Sequence, residues 1–147
     1  MGVEIDRVLG KLGFIEEHIQ QLESLQITTF VEYLNNRTQR DLSRLYLQLI
    51  YQAGIDINQH ILTEGFGLEI KNYSDTFVRM GLYGVIDSDL SNSLMESAKM
   101  RNVLVHLYDK IDYSTLFDSI TETINEYSIY IEQISSYLET LEGKDNG

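Results

Sequence analysis

The sequence of 147 residues contains no cysteine and no proline. Without cysteine, disulfides and thiolate metal sites are excluded, and with them the class of small disulfide-stapled secreted proteins. Without proline, nothing interrupts long helices. No apolar run reaches the roughly 18 residues needed to span a bilayer. The hydrophobic fraction of 43% is that of a folded globule, and we expect one domain over residues 1–147.

Basic residues are also scarce, because 11 Lys and Arg face 23 Asp and Glu, for a net charge of −12. This charge argues against a nucleic-acid binder that uses a broad basic face. Any contact with RNA must therefore be local and confined to a small cluster of arginines. The N-terminus carries acids and lacks the apolar stretch of a signal peptide, so we expect a cytoplasmic protein that does not bind membranes.

The spacing of apolar residues predicts helices throughout the chain. The first long stripe contains Ile5, Val8, Leu12, Ile15, Ile19 and Leu22; the second contains Leu42, Leu45, Tyr46, Leu49, Ala53, Ile57 and Ile61; the last contains Phe117, Ile120, Ile124, Tyr127, Ile131, Ile134, Leu138 and Leu141. A short helix is expected at 30–34, a turn at 35–38, a loop at 64–67, and a helix at 73–80 capped by Gly81. Asp87 and Asp112 are expected to begin two further helices.

These elements predict an all-α, up-and-down bundle of four main helices plus short ones. The second long helix is apolar on another side too, through Leu47, Tyr51, Ile55 and Leu62, so it is either central or shared with a partner subunit. Between its two apolar faces, polar residues follow one another every four positions: Arg40, Arg44, Gln48, Gln52, Asp56 and His60. Neighbours at that spacing touch on a helix.

The most informative segment runs from Met100 to Tyr108. Arg101 carries a fixed charge and a fork of donors suited to phosphate, and His106 can exchange protons near neutral pH. Together they are a minimal set for breaking a phosphodiester beside a ribose 2′-hydroxyl. On a continuous helix, however, the two side chains would lie about 140° apart. Either the helix ends or distorts near His106, or a second subunit supplies one of the groups.

The segment Arg101-Asn102-Val103-Leu104-Val105-His106-Leu107-Tyr108 resembles the R-N-x-x-x-H-x-Y signature of HepT-type toxins, within the HEPN superfamily of helical ribonucleases. The resemblance extends over roughly residues 40–115. It includes Ile55-Asp56-Ile57-Asn58-Gln59-His60-Ile61, the helix start at Tyr73-Ser74-Asp75-Thr76-Phe77, Gly84-Val85-Ile86, and Asp109-Lys110-Ile111-Asp112.

The resemblance implies a homodimer whose two signatures face a shared cleft, acting as a metal-independent endoribonuclease. It also implies the toxin of a type VII-like toxin–antitoxin pair, whose MntA-type nucleotidyltransferase antitoxin transfers AMP onto Tyr108. Arg101 and His106 would be the catalytic pair and Asn102 a supporting polar group. RNA would be the substrate and DNA would not; no cofactor or metal would be needed.

The alternative from another class is a non-catalytic adaptor that binds a nucleotide or the nucleotidyltransferase at the same segment. A purely structural helical bundle is a third interpretation. A metal hydrolase is disfavoured, since His18, His60 and His106 show no ligand spacing.

Other polar residues admit two interpretations each. Asp56 and His60, four apart, either form a structural pair or support the cleft. Arg37, Arg40 and Arg44 either guide RNA towards the cleft or form a solvated helix end paired with Asp41. The tyrosines of the last helix, at 127, 130 and 137, are expected in the core or at an interface rather than stacked on bases.

Overall fold

The computed structural model describes residues 2–106 and 111–146, with side chains up to residue 143. These residues form six α-helices and one π-helical turn and contain no strand. The helices are α1 (Ile5–Ser24), α2 (Phe30–Leu34), α3 (Arg37–His60), α4 (Ser74–Leu82), α5 (Ser88–His106) and α6 (Tyr113–Asn146), and the π-helical turn (Ile61–Gly65) continues α3. The predicted all-α bundle of four long helices with short ones between them is confirmed. In the described part of the chain, no helix is both long and apolar enough to cross a membrane.

Side-chain caps set several helix starts, and two of them, Asp87 and Asp112, were predicted from the sequence. Thr29 accepts a hydrogen bond from the backbone N–H of Glu32 at the start of α2. The Asp87 carboxylate accepts one from the N–H of Leu90 at 2.8 Å, and Asp112 accepts one from the N–H of Ser114 at 2.9 Å. Each cap satisfies a donor that the first helical turn leaves unpaired.

Helix α3 lies at the centre of the bundle and contacts each of the other α-helices. Its second apolar side is buried inside the protein, so the interpretation of a central helix is confirmed. Close approach to α6 requires glycine at position 54, where an added Cβ would lie 2.9 Å from Cε1 of Tyr127. The N-terminal part of its first stripe is less covered, and Leu45 remains 45% exposed.

Buried tyrosines join α6 to the rest of the core. The Tyr130 hydroxyl donates to Oδ1 of Asn58 at 2.6 Å, and the Tyr127 hydroxyl lies 2.8 Å from Oγ of Ser97. Burial raises the pKa of both phenols well above its ordinary value, so they act as neutral hydrogen-bonding groups. Tyr127 and Tyr130 are therefore core residues as expected, and Tyr137 is partly buried against the core.

Some boundaries differ from the sequence prediction. The turn expected at 35–38 is shorter, because Asn36 already caps α3 with its side chain. The prediction of a loop at 64–67 is wrong for its first two residues, since Glu64 and Gly65 belong to the π-helical turn. Gly81 does not cap α4; it lies inside the helix, where an added Cβ would meet the Ser91 side chain at 2.6 Å, and Gly84 adopts the positive φ of +76° instead. Close packing of α4 on α5 thus explains the glycine at 81.

Candidate active site

Arg101 lies in the last turns of α5 and is half-buried. Its Nε donates to Oε1 of Gln52 on α3 at 2.7 Å, and its Nη1 donates to Oδ1 of Asn102 at 3.1 Å. The guanidinium also lies over the ring of Tyr73, at the start of α4, 5.7 Å from the ring centroid. Three helices therefore set the orientation of this one side chain.

The groups that hold Arg101 are neutral. Within the described residues no carboxylate lies within 4.0 Å of its guanidinium, whereas Arg7 and Arg37 each have an acidic partner at that range. Of the five N–H donors of a guanidinium, the bonds to Gln52 and Asn102 use two. Among the described residues, the positive charge is therefore held in place without a compensating carboxylate, an arrangement suited to an anionic ligand.

Gln52 is the residue that sequence reasoning missed. It appeared only as one member of the polar row on α3, and its partner Arg101 is 49 residues away in the chain. Further contacts orient its side chain: the amide nitrogen donates to Oδ1 of Asp56 at 2.8 Å, and Oδ2 of Asp56 accepts from Lys11 Nζ at 3.5 Å. A continuous polar row thus runs from α1 through α3 to α5.

Asp56 therefore acts on Arg101 indirectly: it bonds to Gln52, and Gln52 bonds to Arg101. His60 contributes elsewhere. It is buried, and its Nε2 accepts a hydrogen bond at 2.9 Å from the backbone N–H of Glu4, the residue that precedes α1. The direct pairing of Asp56 with His60 suggested by their spacing does not form; in the described structure each bonds to the region of α1 instead.

His106 is the last residue of α5 and is exposed. Within the described part of the chain it makes no hydrogen bond or ion pair. Because α5 is helical through both residues, Arg101 and His106 are separated by about 140° around the axis and about 7.5 Å along it. On a regular helix, side chains at these two positions leave the axis in different directions. Tyr108, the expected modification site, lies outside the described residues.

The expected local cluster of arginines is present as a surface groove at the start of α3. It has a volume of about 760 Å³ and is lined by Arg37, Arg40, Asp41, Arg44, Leu45, Gln48, Ile111 and Tyr113. We call this the basic groove. No group of three His, Cys, Asp or Glu side chains in the described residues could hold a metal ion.

Comparison with known proteins places this chain in a family. The model of the ribonuclease HepT-like family matches residues 15–134. A protein of Aphanizomenon flos-aquae (strain 2012/KM1/D3) named tRNA nuclease HepT is 34% identical over 145 residues, which cover 98% of this chain and 96% of that one. The chain therefore belongs to the HepT-like family.

Solved structures agree on the fold. The Bacillus subtilis protein YutE superposes with a TM-score of 0.82 at 19% identity, over 94% of this chain and 92% of that one. A tri-AMPylated HEPN toxin of Shewanella oneidensis, in complex with its MNT antitoxin, superposes with a TM-score of 0.80 at 21% identity, over 90% and 98% of the two chains. The resemblance expected from the signature residues is thus confirmed.

The role of Gln52 can be tested without any activity assay. In Gln52→Leu the Arg101 Nε–H loses its acceptor, so its hydrogen exchange, followed by arginine-selective NMR, is expected to accelerate. Gln52→Leu also removes the amide donor to Asp56, so the free energy of unfolding should fall by about 1–3 kcal/mol, the usual net value of two such bonds. Gln52→Glu keeps an acceptor oxygen and should keep the proton protected. Equal exchange rates in all three proteins would contradict the proposed contact.

Proposed function

We propose that this protein is a ribonuclease toxin that cleaves RNA without a metal ion, with Arg101 and His106 as its catalytic residues. The observation that supports this most directly is the Arg101 guanidinium, held by amide oxygens and left without a carboxylate among the described residues. The 34% identity to a protein named tRNA nuclease HepT supports RNA, and tRNA in particular, as the substrate class.

In this mechanism a ribose 2′-hydroxyl attacks the adjacent phosphorus. His106 takes the 2′-hydroxyl proton as the O2′–P bond forms, and the imidazolium so formed delivers a proton to the 5′-oxygen as the P–O5′ bond breaks. Arg101 binds the phosphate and stabilises the negative charge that develops on its non-bridging oxygens. The products are a 2′,3′-cyclic phosphate and a 5′-hydroxyl. DNA lacks the attacking hydroxyl and is not a substrate.

The active form in this proposal is a homodimer, in which Arg101 of one protomer acts with His106 of its partner. The separation of about 140° on α5 motivates this arrangement. On α3, Leu45, Leu49 and Gln52 lie within about 60° of one another around the axis. Apolar surface therefore adjoins the site, since Leu45 is 45% exposed and Leu49 half-buried. A second copy seated there would cover this surface and complete the cleft.

The partner in this proposal is an MntA-type nucleotidyltransferase antitoxin that transfers AMP to Tyr108. The phenol oxygen attacks the α-phosphorus of a nucleoside triphosphate, an O–P bond forms, and pyrophosphate leaves. Tyr108 is seven residues after Arg101 and two after His106 in the sequence. An added phosphate would compete for the Arg101 guanidinium and repel RNA, so modification would silence the enzyme by charge and bulk.

The catalytic roles are tested with purified protein and a tRNA substrate. His106→Ala is expected to lower kcat by about 10²- to 10⁴-fold, the usual contribution of general acid–base catalysis. Chelation of divalent ions should leave the rate unchanged, and the 3′ ends should be cyclic phosphates. His18→Ala removes a half-buried histidine of α1 that contacts Phe14 and Tyr46, and serves as the control. Cleavage that survives His106→Ala, or binding of RNA without cleavage by the wild type, would contradict the proposal and favour an adaptor.

The modification site is tested by incubation with the nucleotidyltransferase and ATP, followed by intact-mass measurement. Tyr108→Phe should remain an active nuclease, gain no AMP, and stay active in the presence of the antitoxin. Tyr83→Phe alters a tyrosine that is 45% exposed on another part of the surface, and it should be modified and silenced like the wild type. Mass addition to Tyr108→Phe at the wild-type level would assign the modification to another residue.

A further inference from the structure

The basic groove concentrates positive charge in an otherwise acidic protein. Three of the six arginines in the sequence line it, with Asp41 as the one acidic residue among its lining residues, although the chain carries a net charge of −12. We propose that the basic groove binds the phosphate backbone of the RNA on one side of the scissile bond and leads it to Arg101. This inference rests on the proposed ribonuclease function and extends it to a second RNA-binding site.

Arg40 is held rigidly in the groove. Its Nη1 donates to the backbone carbonyls of Leu34 and, at 3.5 Å, Tyr33, where α2 ends. The guanidinium lies over the Tyr113 ring, 5.1 Å from the centroid, and its buried Nε has no hydrogen-bond acceptor among the described residues. As at Arg101, oxygens of neutral groups orient the charge and no carboxylate within the described structure compensates it. Such a guanidinium binds phosphate with little further loss of side-chain entropy.

Arg44 connects the groove to the catalytic helix. Its Nη2 donates to the backbone carbonyl of Leu104 at 3.0 Å, two residues before His106. The groove therefore opens at the end of α5 where the proposed catalytic histidine lies. The groove is lined by residues of α3 and by Ile111 and Tyr113, which lie just before and at the start of α6.

The polar row of α3 gives the direction in which the RNA backbone would run from the basic groove to Arg101, a path that we call the track. Arg40, Arg44, Gln48 and Gln52 follow one another at steps of about 6 Å along the helix, so the row extends about 18 Å from the groove to the residue that holds Arg101. A groove of positive side chains with an accessible aromatic ring is the usual surface for a single-stranded backbone. Tyr113, 41% exposed beside Arg40, supplies that ring.

Arg37 is the arginine best suited to a test. It is highly exposed and pairs with Asp41 at 3.5 Å, and an exposed pair of this kind contributes little to stability. Substitution at either position should therefore leave the fold intact. An arriving phosphate can displace Asp41 from Arg37 at little cost. The two residues then have opposite expected effects on RNA affinity, which a general change of surface charge at an unrelated site would not reproduce.

The experiment measures binding of a fluorescent tRNA to protein carrying His106→Ala, by anisotropy over a range of salt concentrations. Arg37→Gln should raise Kd several-fold and lower the slope of log Kd against log salt by roughly 0.7, the value for one lost phosphate contact on a single strand. Asp41→Asn should lower Kd. Arg7→Gln removes a similarly exposed, ion-paired arginine from α1, outside the groove, and should change neither.

Kinetics on the active enzyme separate this inference from the nuclease proposal itself. For tRNA, Arg37→Gln should raise KM and leave kcat unchanged, and for a dinucleotide too short to reach the groove it should change neither. If the wild type cleaves tRNA but Kd, slope and KM are the same in Arg37→Gln and Asp41→Asn, the groove is not an RNA site although the nuclease stands. If these variants instead weaken binding of the nucleotidyltransferase, the groove is a protein-docking surface and the inference is wrong. A wild type that cleaves no RNA overturns both proposals.

Discussion

The hydrogen bond from Arg101 Nε to Gln52 Oε1, 2.7 Å long, is the contact on which the site depends. An arginine side chain has about 2 kcal/mol of rotamer entropy to lose, and one fixed N–H removes much of that freedom before a ligand arrives. Asp56 and Lys11 extend the bond into a row that spans α1, α3 and α5, so the packing of three helices sets the direction of one guanidinium. Because Gln52 is neutral, it orients the guanidinium without cancelling the charge that the proposed chemistry requires.

The net negative charge of the chain is compatible with the proposed RNA substrate, because neutral groups orient the arginines near the site and leave their charge uncancelled. At physiological ionic strength, exposed charges are largely screened beyond about 8 Å, so net charge matters less than the charges in direct contact with phosphate. The described residues near the site are arranged accordingly: Arg40 is held by carbonyls and Arg101 by amide oxygens. Arg37, with its exposed partner Asp41, lies at the outer end of the groove. Acidic surface elsewhere would confine RNA to this track rather than exclude it.

Local features were predictable from sequence and distant ones were not. Asp87 and Asp112 mark helix starts because a cap bonds within its own turn. The predicted apolar stripe of α6 identified only part of its buried face. Leu116, Thr123 and Tyr130 are buried although they lie outside the stripe, whereas its members Phe117, Ile124 and Ile131 are only partly buried against the core. The hydroxyl group of Thr123 disguised one of these core positions, whose partner on α3, Tyr51, is 72 residues away. Gln52 was hidden in the same way, since nothing near it in the sequence reveals Arg101. The residues of the signature could be identified because they are contiguous in the sequence. The sequence alone left open whether a helix distortion or a second subunit would bring Arg101 and His106 together.

That convergence is the central claim, because α5 separates Arg101 from His106 within one chain. It is tested most directly by mixing two inactive proteins, Arg101→Ala and His106→Ala, under conditions where protomers exchange, and measuring tRNA cleavage once native mass spectrometry detects mixed dimers. If Arg101 of one protomer acts with His106 of its partner, each mixed dimer holds one intact pair, and the mixture should recover a fraction of wild-type activity. A mixture that forms mixed dimers and remains inactive would contradict the account.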